Sequence, residues 1–306
     1  MVDTAIEARG LTKRFAKDVL AVDGLDLSVE RGTVYGMIGR NGAGKTTTLR
    51  LLMGLLRPTA GSARILGTDP WAADSGARGR AAYVSQGQRL HDWMTPADLC
   101  RYLSHFYEAW DTPYARNLAK RFGIPWERQV GLLSGGDQRK VAVLLAFAAR
   151  PAVAILDEPA GGLDPIARRA LLDAIVDLLA SSDGCTIFLS THLIADLERL
   201  AETIGIMDRG RLAMSSRVDE LQGRMRRVQV VFDAGTPPPG FSIPGAVRSH
   251  SAGSVVTAVA RIEEESQIES LRRTPGARVE FFPMGLEEIY VELFGTEPEN
   301  PGEERT

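Results

Sequence analysis

The sequence predicts an α/β fold with a mostly parallel sheet, and three observations predict it. The apolar run Val34 to Ile38 leads through a glycine-rich octapeptide, GRNGAGKT at Gly39 to Thr46, into Thr46 to Leu55, a stretch able to form a helix. A second apolar run, Val153 to Leu156, ends in the adjacent carboxylates Asp157 and Glu158. A third, Thr186 to Leu189, runs into Ser190, Thr191 and His192, and strands alternate with helices over 151–217.

Strand, glycine loop and helix in that order form the setting of a phosphate-binding loop. Gly39, Gly42 and Gly44 let the backbone curl so that amide N–H groups converge on one anion, and the helix start adds a positive dipole end. Lys45 brings a full charge to the β- and γ-phosphates, and the Thr46 hydroxyl suits Mg²⁺. Asp157 and Glu158 fall at the carboxyl edge of the parallel sheet, where ligands of such sheets bind. Asp157 is placed to hold Mg²⁺, directly or through water, and Glu158 to orient and deprotonate a water.

LSGGD at Leu133 to Asp137 supplies a second candidate anion site. Ser134 is a good N-cap, the helix through Val141 to Ala149 is apolar on most sides, and Gly135 and Gly136 allow close approach to its amino end. His192, at the end of its strand, is placed to donate to a γ-phosphate and to link Glu158 to the attacking water. His91, His105 and His250 have no such setting.

GRNGAGKT, Gln86, LSGGD, VAILDEP and His192, in this order, resemble the ATP-binding subunit of ATP-binding cassette (ABC) transporters over nearly all of residues 4–217. The resemblance implies a P-loop NTPase core with a mostly parallel sheet, an inserted helical subdomain and ATP with Mg²⁺ as cofactors. The octapeptide matches Walker A, Gln86 the Q-loop, LSGGD the signature, VAILDEP Walker B, Gly162-Leu163-Asp164 the D-loop and His192 the switch histidine. By the same resemblance Glu158, His192, Gln86 and Lys45 are catalytic. Phe15, Gly39, Asn41, Gly42, Ala43, Gly44, Lys45, Thr46, Thr47, Ser134, Gly135 and Gly136 bind nucleotide, with Phe15 stacking on adenine. Thr46, Gln86 and Asp157 are the metal set. Two subunits would form a head-to-tail dimer, each ATP lying between Walker A of one and the signature of the other. Asp137 stands where the family usually has glutamine, and Gly161 where the D-loop usually has serine. Both are expected to lower rate or dimer affinity rather than to abolish function.

The expected map places the nucleotide-binding domain at 1–217 with a helical insert at about 87–150, a small α+β domain at 218–296, and a disordered tail at 297–306. The insert carries His91, Trp93, Met94, Tyr102, Phe106, Tyr107 and Trp110; helical spacing assigns some to the core, and exposed ones are candidates for contact with a membrane subunit. In the C-terminal part, strand-like runs Val228 to Phe232, Ser254 to Ala260 and Arg278 to Phe282 flank a Pro/Gly-rich turn and a polar helix near Glu263 to Arg273. The closing helix, Leu286 to Phe294, resembles the C-terminal segment of cassette subunits in multi-subunit bacterial exporters. Basic residues Arg224, Arg226 and Arg227 are expected in a solvated turn.

Composition agrees: 306 residues with 44% hydrophobic and 25% charged suffice for a large core, and a net charge of −3 argues against nucleic acid as a partner. Cys100 and Cys185 form no CxxC and are expected reduced and structural in the cytoplasm. With no apolar run of the ~20 residues that span a bilayer, separate transmembrane permease subunits are expected as partners. The chain would then be peripheral, on the cytoplasmic face of the cell membrane, beside a second ATP-binding subunit that is an identical copy or a paralogue. The expected function is an ATP-hydrolysing motor for transport, with export favoured by the C-terminal region. The alternative is a non-transport cassette ATPase acting on a ribosome or DNA. A single cassette and only about 46 residues between Gln86 and Leu133 count against that. A GTPase is disfavoured because none of the five lysines has an aspartate two residues later.

Overall fold

The computed structural model describes residues 3–16, 19–72, 79–180 and 184–295. The chain divides into two compact units, Met1–Ser215 and Ser216–Thr306.

The first unit is built from β1 (Thr4–Arg14), β2 (Leu20–Glu30), β3 (Val34–Gly39), α1 (Lys45–Leu52), β4 (Ala60–Ile65), β5 (Ala81–Val84), α2 (Pro96–Leu103), α3 (Thr112–Phe122), α4 (Gly135–Ala148), β6 (Val153–Asp157), α5 (Pro165–Leu179), β7 (Thr186–Ser190), α6 (Ile194–Leu200), β8 (Thr203–Asp208) and β9 (Arg211–Arg217). Six strands form one sheet in the order β5-β6-β7-β3-β8-β9. The pairings β5–β6, β6–β7, β7–β3 and β3–β8 are all parallel. Every residue of β3, β6 and β7 is buried, as expected for parallel strands covered on both faces. Their carboxyl ends therefore lie side by side, and that is what assembles the site.

A second sheet, absent from the sequence-based map, is three-stranded and antiparallel in the order β2-β1-β4. β1 and β2 have eleven residues each. One core cluster joins Ile6, Leu11, Leu25, Leu49, Leu52, Tyr35 and Phe188. Burying one such aliphatic side chain stabilises by about 1.5–3 kcal/mol. Tyr35 stacks on Phe188 at 5.1 Å, and burial pushes its hydroxyl up to about 12 despite a hydrogen bond with Ser215.

The insert holds α2, α3 and α4. Thr95 and Asp98 form a capping box on α2 with Pro96 in its first turn, Asp111 caps α3, and Gly123 ends α3 in a left-handed conformation. Its core is small and aliphatic: Leu99, Cys100, Ala115, Leu118, Ala119, Val130, Leu144 and Leu145, with Phe122 and Phe147. The expectation that some of the seven singled-out side chains are core is overturned. His91, Trp93, Tyr102 and Phe106 are exposed, and Met94, Tyr107 and Trp110 are only half-buried. Tyr102 and Phe106, four residues apart, pair with each other at 5.1 Å on the outside of the insert.

The second unit contains α7 (Val218–Arg224), β10 (Met225–Phe232), β11 (Ala246–Ala252), β12 (Val255–Arg261), α8 (Glu265–Arg272), β13 (Ala277–Pro283) and α9 (Leu286–Phe294). Its sheet has the order β11-β12-β10-β13 and is antiparallel throughout. Val228, Val230, Phe232, Val256, Ala258 and Ala260 alternate onto the core face. The basic cluster is not a turn: Arg224 ends α7, and Arg226 and Arg227 lie in β10. Arg227 pairs with Glu288 at 3.4 Å, and Arg226 donates to backbone carbonyls of Gln222 and Met225. The expected tail, 297–306, lies outside the described residues. Among the described residues no helix is long and apolar enough to cross a membrane.

Candidate functional site

The loop from Gly39 to Gly44 joins β3 to α1. Gly44 has φ 106, and a Cβ there would lie 2.3 Å from the Ala21 carbonyl oxygen, so only glycine fits this helix start. Gly39 is required for a different reason: its Cβ would lie 2.5 Å from the Met207 carbonyl. The α1 amino end carries no side-chain cap and no acidic residue in its first turn. The first-turn N–H groups at Lys45, Thr46 and Thr47 thus lack intrahelical acceptors, as an anion-binding helix start requires. Asn41 and Gly42 are exposed at the loop tip, while Ala43 is buried and accepts from Gly210 N–H, which braces the loop from the β8–β9 turn.

Lys45 is 7% exposed, and its Nζ donates to the Gly39 carbonyl at 2.6 Å, so the side chain folds back along its own loop. Burial lowers its pKa, while the charges of Glu158 and Asp157 act in the opposite direction. Three elements remote in sequence are brought together at this edge.

Asp157, fully buried at the end of β6, accepts from Ser190 Oγ at 2.6 Å through Oδ1, and its Oδ2 has no hydrogen-bond partner. An unpartnered buried carboxylate oxygen is costly alone and suits a hard cation. Among the described residues no group of three or more His, Cys, Asp or Glu could hold a metal. The unpartnered Asp157 oxygen fits Mg²⁺, which takes one or two protein oxygens, waters and substrate phosphates rather than a protein cage. Glu158 follows with φ 51, a backbone conformation unusual for a non-glycine residue. Its N–H donates to Ser190 O at 3.0 Å, and its Oε2 lies 2.7 Å from His192 Nδ1. Glu158 is buried whereas the His192 side chain is 59% exposed, so the imidazole links a buried carboxylate to the open edge. Ser190, which holds both Asp157 and the Glu158 backbone, was noted in the sequence only as the neighbour of His192.

Gln86 is exposed on the loop after β5. The β5–β6 register ends with Val84 opposite Leu156, and Gln86 lies two residues beyond β5, in the turn that follows it. Phe15 follows β1, is 41% exposed, and has Lys13 Nζ 5.3 Å from its ring centroid.

Ser134, Gly135 and Gly136 open α4 and hydrogen-bond within it. Ser134 Oγ accepts from Asp137 N–H at 3.1 Å and donates to Asp137 Oδ2 at 2.8 Å, and Lys140 forms an ion pair with the same carboxylate. Burial pushes the Asp137 carboxyl up, but Lys140 and Ser134 outweigh it and hold it below its ordinary value. The Asp137 charge is thus already matched by Lys140. Cys100 and Cys185 are free and buried, and burial pushes both thiols up to about 12, consistent with structural thiols.

A protein-family model described as ABC transporter matches residues 22–161. The chain is 32% identical over 307 residues to the Nod factor export ATP-binding protein I of Ralstonia nicotianae, covering 95% of this chain and 94% of that protein. It is 29% identical over 296 residues to the ABC transporter ATP-binding protein YtrB of Bacillus subtilis, covering 95% and 98%. The daunorubicin resistance ATP-binding protein DrrA3 of Streptomyces coeruleorubidus is 35% identical over 239 residues, covering 76% of this chain and 75% of that protein. A solved ATP-binding subunit of an ABC transporter superposes with TM-score 0.66 at 28% identity, covering 72% of this chain and 92% of that one. With a glycine loop, a buried Asp157-Glu158 pair and His192 converging at one sheet edge, and with relatives matched over nearly their whole length, the chain belongs to the ATP-binding subunits of ABC transporters, a family of P-loop ATPases.

Proposed function

We propose that the chain is the motor subunit of an exporter, hydrolysing ATP at two composite sites in a head-to-tail dimer and driving separate permease subunits from the cytoplasmic face of the membrane. The hydrogen bond between Glu158 and His192, beside the unpartnered oxygen of Asp157, carries this reading. Lys45 and the N–H groups at the start of α1 bind the phosphate tail, and Phe15 stacks on the base. Asp157, Thr46 and Gln86 hold Mg²⁺, which supplies neutralisation of phosphate charge. Glu158 accepts a proton from the attacking water, and its bond to His192 keeps the carboxylate oriented toward the open edge. Ser134, Gly135 and Gly136 of one subunit meet the γ-phosphate held by the other, so this phosphate favours the closed dimer and its loss reopens it.

Export is favoured by the names of the relatives, which are a Nod factor export protein and a daunorubicin resistance protein. Trp93, Tyr102 and Phe106, exposed at 68%, 50% and 62%, offer the insert's contact for a permease. The test is the steady-state ATPase rate against protein concentration, with Glu158→Gln as the blank. A rate per subunit that rises with concentration and vanishes in the variant, which itself accumulates as an ATP-loaded dimer, is expected. A rate independent of concentration would overturn the composite site.

A further inference from the structure

We propose that Arg139 is a positioning residue for Glu158, tying the proposed base at one nucleotide to the helix whose amino end serves the other. The proposal rests on the roles given above to Glu158 and to Ser134 through Gly136. Arg139 Nη1 donates to the Glu158 carbonyl oxygen at 2.6 Å, across 19 residues of sequence. The same oxygen accepts from Gly161 N–H at 3.1 Å, while Glu158 N–H is held by Ser190. Two donors on one carbonyl fix the peptide plane that follows Glu158. That plane, together with φ 51, sets the direction of the Cα–Cβ bond and so the place of the carboxylate 2.7 Å from His192.

A second contact runs parallel to this one. A Cβ on Gly136, in the first turn of α4, would lie 3.3 Å from the Gly162 carbonyl oxygen. The first two turns of α4 are therefore seated directly on the 158–162 segment. Gly161 makes the approach possible: a Cβ there would lie 3.2 Å from Arg139 Nη1 and 3.3 Å from the Glu158 carbonyl. A side chain at 161 would be a tight fit that makes the guanidinium or the carbonyl give by a few tenths of an ångström, in keeping with glycine where the family usually carries serine. A shift of the α4 amino end on engaging or releasing a partner's nucleotide is passed through this charge-assisted hydrogen bond to the base of its own site.

The test is turnover by the chain, measured as kcat and KM for ATP, for the wild type, Arg139→Ala, Arg139→Lys and Glu158→Gln. Displacing a reacting group by a fraction of its contact distance costs up to about 100-fold, so Arg139→Ala is expected to lower kcat by about 10- to 100-fold. KM should stay within about twofold while kcat falls, and Arg139→Lys should recover part of the rate. Gly161→Ser, which crowds the guanidinium without removing it, should lower kcat several-fold in the wild type and add nothing in the Arg139→Ala background. A kcat for Arg139→Ala within twofold of wild type, or strictly additive losses in that pair, would overturn the proposal while Glu158→Gln remains inactive. Wild-type turnover by Glu158→Gln would instead remove the base on which the proposal rests.

Discussion

Helices α1 and α4 both begin at glycines and both are proposed to meet a phosphate, yet their amino ends are finished in opposite ways. α1 starts at Gly44 with no capping side chain and no acidic residue in its first turn. α4 starts at Ser134, whose hydroxyl is engaged by Asp137, and the Asp137 carboxylate is matched by Lys140. A carboxylate in the first turn of a helix is favourable by about 0.3–1 kcal/mol, the same attraction that a phosphate would exploit. The first end is therefore left open for an anion, whereas the second already carries one. On the proposed function, the two halves of a composite site are unequally prepared: the α1 end is open to nucleotide, and the α4 end would have to give up an internal contact to reach it.

The largest test of the contrast is Lys45→Ala. Lys45 is the buried cation of the open end, so its loss should lower turnover by at least about 10²-fold and weaken ATP binding by the single subunit. Retention of wild-type ATP affinity in equilibrium binding would mean that the α1 end does not act alone. Next in size is Gly44→Ala, where the new methyl meets the Ala21 carbonyl and the backbone must keep φ 106. A loss of about 1–3 kcal/mol in urea unfolding, together with weaker ATP binding, is expected from strain at the helix start. A smaller effect of opposite sign is expected at the other end. Asp137→Gln frees the Ser134 hydroxyl from a charged acceptor, so ATP-driven dimerisation in the Glu158→Gln background should tighten by about two- to tenfold, as read by sedimentation. Unchanged or weaker dimerisation would mean that the Asp137–Ser134 contact does not compete with nucleotide.

Much of the contrast was legible in the sequence, because capping residues act within one helical turn. GRNGAGKT, the N-cap at Ser134 and the first-turn aspartate were all readable from neighbours three or four residues apart. The edge where Asp157, Glu158 and His192 meet was readable as well, since each ends an apolar strand. Long-range partners were not. Arg139 looked like one more polar residue on a helix because its acceptor is a backbone carbonyl with no sequence signature. Ser190 was passed over because its two contacts, Asp157 and the Glu158 backbone, come from the end of β6 and the residue after it, more than thirty residues away in sequence. β11, with every residue exposed, lacks the apolar alternation that marked β10 and β12. The aromatics of the insert misled because, of the seven side chains, only Tyr102 lies in a helix; the others fall in the segments on either side of α2, where helical spacing does not apply, and aliphatic residues filled the core instead.

The smallest predicted effect concerns the α4 end alone. The Asp137 carboxyl has a pKa below its ordinary value in the folded chain, with Lys140 and Ser134 overcoming the upward push of burial. A depressed carboxyl contributes stability above its unfolded pKa and loses it as pH falls through the folded one, so the contribution should be full at neutral pH and fade below about pH 4. The pair is part-exposed and three residues apart on one helix, which limits its worth to about 0.5–1 kcal/mol. Urea unfolding of the wild type and Asp137→Asn should therefore differ by that amount at pH 7 and converge toward pH 3. Equal stability at pH 7 would show that Lys140 and Ser134 gain nothing from the charge. The α4 end would then be as open as that of α1, and the distinction between the two helix starts would have to rest on the glycines alone.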